Sequence, residues 1–82
     1  MRAVWDPEKA ASNLRKHGVR LADAEGVLLD PGARTREDFS ARGEQRFVSV
    51  GSDAAGRVLV VVYTYRGDDV RIISARRATP RE

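Results

Sequence analysis

The side chains of this 82-residue chain that could do chemistry are cationic. A Lys16-His17 pair ends a predicted helix, and Arg46, Arg71 and Arg76 lie on predicted strands. Such groups suit RNA cleavage without a metal, because the attacking nucleophile is the 2′-hydroxyl of the RNA itself. The protein must then align the phosphate, neutralise the charge that develops on it, and move protons. RNA is therefore one candidate substrate.

Further side chains could hold an RNA strand near such a centre. Lys9, Asn13 and Lys16 share one face of the first predicted helix at a spacing of three to four residues. Tyr63, on a predicted central strand, could stack on a base or move a proton. The sequence thus offers a polar stripe on a helix and an aromatic group on the sheet.

Each of these features also has a purely structural interpretation. Lys16 and His17 can simply complement the negative end of the helix dipole. Basic residues at positions 71, 76 and 77 can be strand charges that discourage pairing between sheets. The helical stripe can be a solvated face. Residue types and spacing alone leave RNA binding and RNA cleavage open as hypotheses.

Several kinds of site are excluded by what the chain lacks. It contains no cysteine, which rules out disulfides, thiolate zinc sites and a cysteine nucleophile. His17 is the only histidine, and the sequence has no phosphate-binding glycine loop and no nucleophile elbow. We therefore expect neither a metal nor a cofactor.

The charge distribution favours a polyanionic partner. Fifteen Lys and Arg residues against twelve Asp and Glu give a net charge of +3. Residues 1–41 are balanced, with seven basic and seven acidic side chains, so residues 42–82 carry the whole excess, with eight basic against five acidic. A basic half of this kind is typical of nucleic-acid binding. With no long apolar run and no leader, the chain is predicted to be one cytoplasmic domain over residues 1–82, without a membrane partner.

The pattern of residues predicts an α+β fold. Asp6 is a suitable N-cap, Pro7 suits the first helical position, and Gly18 suits the end of that helix. The predicted order is β-α-α-β-β-β-β, in a two-layer sandwich whose helices lie on one face of a twisted antiparallel sheet. The expected elements span residues 2–5, 7–17, 21–28, 34–39, 44–51, 57–65 and 71–77.

The last four residues carry the pattern of a helix start. In Thr79-Pro80-Arg81-Glu82, Thr79 fits the N-cap, Pro80 the first position and Glu82 the third position of a capping box. The pattern therefore predicts the start of a C-terminal helix whose remaining residues are absent from the sequence. We expect either that this helix was removed or that the protein has lost it; the alternative is that these four residues are a frayed polar tail that caps nothing.

Two blocks of sequence resemble the BrnT family of bacterial type II toxins. The first comprises Val4-Trp5-Asp6-Pro7-Glu8-Lys9 and Asn13-Leu14-Arg15-Lys16-His17-Gly18-Val19, and the second is Arg71-Ile72-Ile73-Ser74-Ala75-Arg76-Arg77-Ala78-Thr79. Between them, Asp30-Pro31 and Glu44-Gln45-Arg46-Phe47 also match, so the resemblance covers nearly the whole chain.

This resemblance implies a fold similar to RelE and an activity that cuts RNA without a metal, arresting growth. It implies neutralisation by a BrnA-like antitoxin, whose ribbon-helix-helix part binds DNA, so that the toxin reaches DNA only through its partner. The family pattern points to Lys9, Asn13, Lys16, His17, Arg46, Arg71 and Arg76 as a set. Relatives continue past the Ala-Thr block into a final helix, so the short C-terminus is a departure.

Two functional hypotheses follow. In the first, the chain is an endoribonuclease toxin with Lys16, His17, Arg46 and Arg76 as catalytic residues, and its substrate is RNA, either free or ribosome-associated. Its RNA-binding residues would then be Lys9, Asn13, Tyr63, Arg71 and Arg77. In the second, the chain is a weakly active or inactive module that docks the antitoxin and modulates its DNA binding.

Overall fold

The computed structural model describes residues 1–39 and 43–82, and it has the predicted α+β order. A short 3₁₀ segment, Leu21–Ala24, precedes the second helix. The elements are β1 (Arg2–Val4), α1 (Pro7–His17), α2 (Glu25–Leu28), β2 (Arg34–Asp38), β3 (Arg46–Ser52), β4 (Val58–Arg66) and β5 (Asp69–Arg77).

Helix α1 begins and ends where the sequence predicts. The Asp6 side chain accepts a hydrogen bond from the Glu8 N–H at 2.8 Å, and Pro7 takes the first helical position. At the other end, Gly18 adopts a left-handed conformation (φ 67°) and its N–H donates to the Leu14 carbonyl at 2.9 Å. Local capping chemistry alone therefore sets both ends of this helix.

The predicted second helix, residues 21–28, is divided into two short turns of different pitch. The 3₁₀ segment buries Leu21 and Ala24, and α2 then buries Val27. Gly26 lies so close to the β3–β4 connection that an added Cβ would be 2.9 Å from the Ala54 nitrogen. The close approach lets this segment lie directly on the sheet.

The prediction of a fully antiparallel sheet is wrong at one edge. The strand order is β1-β5-β4-β3-β2, and β1 pairs with β5 in parallel, whereas the other pairs are antiparallel. The three residues of β1 cannot encode the direction of their partner. That direction depends on the tertiary fold, in which Arg2 lies beside Asp69 and forms an ion pair with it at 2.8 Å. The sheet is therefore mixed.

Strand ends differ from the prediction by one or two residues. Strands β4 and β5 extend to Arg66 and Asp69, which pair with each other, so the connecting turn is shorter than expected. One irregularity interrupts this pairing, because Tyr63 pairs with Ile72 whereas Val62 pairs with Ser74. The extra residue on β5 forms a β-bulge.

The two faces of the sheet have different surroundings. On one face, α1, the 3₁₀ segment and α2 cover the core, in which Leu59, Val61 and Ile72 are fully buried. The other face, which we call the open face, carries no helix among the described residues. It includes Val60 and Val62 of β4, so β4 is apolar on both sides, as the sequence predicts.

Asp30 joins the loop before β2 to the end of β3. Its carboxylate accepts hydrogen bonds from the Gly32 N–H at 2.9 Å and the Ser52 N–H at 2.8 Å. The bond from Ser52, and then that from Gly32, lower the pKa of Asp30. The loop packs so closely here that only glycine fits at position 51, where a Cβ would be 2.8 Å from the Ala33 Cβ.

We expect Gly51→Ala to destabilise the fold by about 1–3 kcal/mol, because the new methyl group would collide with Ala33 and with the Asp30 carboxylate, which lies 2.9 Å from its position. Urea denaturation measures the change. Gly32→Ala is the matched control, since its Cβ would meet only the Asp30 carboxylate, at 3.5 Å. Equal stability of the two variants would contradict this packing.

A second carboxylate organises the β3–β4 hairpin. Asp53 is buried and accepts hydrogen bonds from the N–H groups of Ala55 and Arg57 and from the Arg57 guanidinium at 2.9 Å. Arg57 in turn donates to Asp23 at 3.0 Å, which ties the hairpin to the 3₁₀ segment. Burial raises the pKa of Asp53, but the bonds and charge of Arg57 outweigh it, and the net shift is downward.

Because the folded-state pKa of Asp53 lies below its unfolded value, its stabilising contribution is present above the ordinary value of 3.8 and is lost as the pH falls through the folded value. We therefore expect Asp53→Asn to lower the free energy of unfolding at neutral pH and to flatten its acid dependence below about pH 4. Chemical denaturation at several pH values tests this.

Candidate nucleic-acid interface

The open face has an apolar floor with charged side chains of both signs around it, the acidic ones including Asp38 and Glu82. Four valines form the floor: Val48, Val50, Val60 and Val62. A cleft of about 500 Å³ lies over them, and Arg36 of β2 and Arg76 of β5 stand on its opposite sides. A strand with both bases and phosphates needs such a combination of apolar and cationic surface.

Two of the predicted arginines meet at one end of this face. Glu44 joins them: the Arg46 Nε donates to the Glu44 Oε2 at 3.1 Å, and the Arg71 Nη1 lies 3.7 Å from the Glu44 Oε1. The Arg46 and Arg71 side chains are 34% and 22% exposed, so solvent still reaches both guanidinium groups. Arg46 and Arg71 therefore form a pair of cations held by one carboxylate.

Arg76 lies further along β5 on the same face, where it binds Glu82. The two groups form a fork of parallel hydrogen bonds, with Nη1–Oε1 at 2.7 Å and Nη2–Oε2 at 2.6 Å. The Thr79 N–H and hydroxyl also donate to the Glu82 Oε1, at 2.8 and 3.1 Å. The hydrogen bonds from Arg76, and then those from Thr79, lower the pKa of Glu82 to about 2. The same bonds to Glu82 raise the pKa of Arg76.

The predicted residues of α1 lie in the other layer. Lys9, Lys16 and His17 are exposed, and their side chains form no hydrogen bond or ion pair with residues 1–39 or 43–82. Helix α1 packs over β5, near the edge of the sheet where β1 lies. The structure thus does not bring Lys16 and His17 together with Arg46 and Arg76 on one face.

Asn13 does not share the exposed stripe that the sequence predicts. It is 5% exposed, and its Nδ2 donates to the carbonyls of Val19 (2.9 Å) and Ala75 (2.7 Å) while its Oδ1 accepts from the Ala75 N–H (3.1 Å). Leu14, the next residue, is 47% exposed. Helix α1 is therefore rotated so that an amide, rather than a leucine, faces the sheet, and Asn13 holds the two layers together.

Tyr63 also points into the interior, although the sequence predicts that it contacts RNA. It lies on the helix-covered face, is 4% exposed, and its ring stacks on Phe47 with 5.9 Å between centroids. Its hydroxyl hydrogen-bonds to the Ser49 hydroxyl at 2.9 Å, which in turn bonds to Thr35 at 2.7 Å. The side chain is therefore part of the core.

Arg77 is exposed, but it lies on the opposite face from Arg76. It pairs across the sheet with the buried Leu59, and its side chain belongs to the helix-covered side at the end of β5. Arg76 therefore lies on the open face and its neighbour Arg77 on the helix-covered face.

Comparison with known proteins decides the family. A model of the family described as the ribonuclease toxin BrnT of type II toxin–antitoxin systems matches residues 5–82. The chain belongs to the BrnT family. No curated protein sequence matches it significantly.

A solved BrnT structure has the same fold. The 1.1 Å crystal structure of the Brucella abortus ribonuclease toxin BrnT superposes with a TM-score of 0.74 and 27% sequence identity, over 96% of this chain and 97% of that chain. The resemblance found in the two sequence blocks is thereby confirmed.

The most informative residues that the sequence analysis missed are the carboxylates of the BrnT open face. Glu44 and Glu82 each contact a predicted arginine, yet neither was singled out as part of a site. The capping-box pattern does point to Glu82, and the bond from the Thr79 N–H that this pattern requires is present. Only the fold shows that the same carboxylate also reaches Arg76.

Residues 1–39 and 43–82 contain no cluster of three or more His, Asp or Glu side chains arranged to hold a metal ion. No helix among them is long and apolar enough to span a membrane.

We expect Asn13→Ala to destabilise this BrnT domain by about 1–3 kcal/mol, because two carbonyls and one N–H would lose their buried partner. Lys16→Ala, on the exposed side of the same helix, should change the free energy of unfolding by less than about 0.5 kcal/mol. Thermal and urea denaturation compare the two. An Asn13→Ala variant of unchanged stability would show that the buried amide contributes little.

Proposed function

We propose that residues 1–82 form one toxin domain that acts as an endoribonuclease, cleaving RNA without a metal and so inhibiting translation and growth. The observation that carries this proposal is the match of the BrnT ribonuclease-toxin model to residues 5–82. The basic open face supports RNA as the substrate, because guanidinium groups bind phosphates through paired hydrogen bonds. The proposal includes the RelE-like character of the fold and a cytoplasmic site of action.

On the open face, the RNA backbone would contact Arg46, Arg71 and Arg76, with bases lying on the valine floor. The three guanidinium groups would neutralise the charge that builds on the phosphate as the 2′-hydroxyl attacks it. Since arginine stays protonated, these groups act by charge and hydrogen bonding and do not transfer the proton. They therefore account for binding and stabilisation, and another group must serve as acid or base.

His17 retains the acid–base role proposed from the sequence if the RNA extends around the β1 edge of the sheet to the end of α1. Helix α1 lies over β5, next to that edge, and Lys9 and Lys16 on the same helix would then guide the strand. An exposed histidine is suited to this role because imidazole can both accept and donate a proton. The open face and α1 would then form one continuous binding surface for the RNA strand.

The proposed partner is a BrnA-like ribbon-helix-helix antitoxin, through which alone the toxin would reach DNA. The proposed RNA substrate includes ribosome-associated RNA. A second candidate function is a weakly active module that docks this antitoxin and modulates its DNA binding. One observation favours it: the Arg76 guanidinium already donates two hydrogen bonds to the Glu82 carboxylate. A phosphate would have to displace that carboxylate.

The test is cleavage of a single-stranded RNA by the purified chain with EDTA present, with and without ribosomes. We expect Arg76→Ala and Arg46→Ala to reduce the rate roughly a hundredfold or more, since each removes a cation from the reacting phosphate. Arg15→Ala is the matched control, because this exposed arginine lies off the open face and has no proposed role in cleavage. EDTA-sensitive cleavage would contradict a metal-independent mechanism, and cleavage unaffected by either variant would contradict the open-face site.

His17→Ala and Lys16→Ala separate the two layers in the same assay. Loss of cleavage with unchanged RNA binding would support proton transfer at the end of α1, whereas full activity would restrict the reaction to the open face. Absence of cleavage in every condition, together with tight antitoxin binding, would favour the docking module.

A further inference from the structure

Four hydrogen-bond donors converge on one carboxylate of the open face. The two Nη groups of Arg76 and the N–H and hydroxyl of Thr79 all point to Glu82, at 2.6–3.1 Å. We propose that Arg76 and Thr79 form a binding site for a phosphate diester of single-stranded RNA, and that Glu82 fills this site in the free chain. The inference rests on the proposed function and adds Thr79 and Glu82 to the interface.

The donors suit a phosphate as well as they suit a carboxylate. Glu82 presents two oxygens to the Arg76 fork, and a phosphate diester presents its two non-bridging oxygens in a similar way. The Thr79 N–H and hydroxyl then supply two donors that a single arginine would lack. The Glu82 carboxylate therefore stands where the non-bridging oxygens of a phosphate would be bound.

The position of this site lets an RNA strand reach it. Arg76 and Glu82 border the cleft over the valine floor, together with Ser74 and Arg36 from neighbouring parts of the sheet. The Arg76 and Glu82 side chains are 40% and 27% exposed. Exchange of one anion for another at a partly exposed guanidinium requires no rearrangement of the core.

Glu82 is consequently an internal competitor for the substrate. Its pKa of about 2 keeps it ionised at neutral pH, so the competing charge is always present. Binding of RNA at this position would be weakened by the cost of breaking the Arg76–Glu82 fork. Loss of the Glu82 charge should therefore strengthen RNA binding beyond what a change of net charge alone produces.

The chain offers a matched control for that charge. Asp69 also accepts a forked pair of hydrogen bonds from an arginine, with Arg2 Nε–Oδ1 at 3.2 Å and Nη2–Oδ2 at 2.8 Å. It lies on β5, the strand that carries Arg76, but it does not border the cleft. Asp69→Asn and Glu82→Gln each raise the net charge by one, and only the second frees the proposed site.

The experiment measures the dissociation constant of a 2′-O-methyl single-stranded oligonucleotide, which cannot be cleaved, at fixed salt. We expect Glu82→Gln to bind it about threefold to tenfold more tightly than Asp69→Asn does. Adding Thr79→Val to Glu82→Gln should weaken binding again by about twofold to fivefold, since one donor is lost. In an Arg76→Ala background, Glu82→Gln should bind no more tightly than Asp69→Asn. Circular dichroism and thermal unfolding confirm that each variant is folded.

Equal affinities of Glu82→Gln and Asp69→Asn would overturn the proposal, because the ion pair would then be only structural. An unchanged affinity on adding Thr79→Val would remove Thr79 from the site. Cleavage of unmodified RNA separates this inference from the proposed function. The predicted binding pattern without cleavage would leave the anion site standing while the enzyme proposal fails. Arg76-dependent cleavage together with equal affinities of Glu82→Gln and Asp69→Asn would support the enzyme proposal and overturn the anion site.

Discussion

The buried amide of Asn13 is the interaction on which the arrangement of the two layers depends. A helix packed only through small apolar side chains could slide or rotate on the sheet with little penalty. Asn13 prevents this because its amide pairs with both the N–H and the carbonyl of Ala75 in β5 and also with the Val19 carbonyl after α1. Every polar atom of the side chain is thereby used in a setting where an unsatisfied group would be costly. The rotation of α1, and with it the direction of Lys9, Lys16 and His17, follows from this one contact.

The open face has a different organisation, because no helix among the described residues covers it. Its apolar centre comes from the inner strands, and its charges come from positions toward the strand ends and from β2. The arginines are not free cations: Glu44 holds two of them and Glu82 a third. Carboxylate partners limit the positions that flexible guanidinium groups can adopt, so the face presents cations in fixed places while its own net charge remains moderate.

The sequence predicted what depends on local chemistry and on repeating patterns. The caps of α1, the element order, the two apolar faces of β4 and the family all follow from short stretches of residues. It did not predict the parallel pairing of β1, because three residues carry no information about their partner. Nor could it separate Asn13 and Tyr63 from surface residues. An amide is buried only where backbone groups need it, and a tyrosine only where its hydroxyl finds a partner, such as Ser49. Both conditions are properties of the folded neighbourhood.

The β-bulge in β5 has a consequence for how this protein can vary. Arg71 and Arg76 are five residues apart, an odd number that would place them on opposite faces of a regular strand. They share the open face because Ile73 is the extra residue between the pairs Tyr63–Ile72 and Val62–Ser74. A strand that kept its length but lost the bulge would turn Arg76 toward the helices and expose Ala75, whereas deletion of Ile73 would leave Arg76 on the open face. The bulge and the length of this strand are thus constrained together, because a change in one keeps Arg71 and Arg76 on the same face only if the other changes with it.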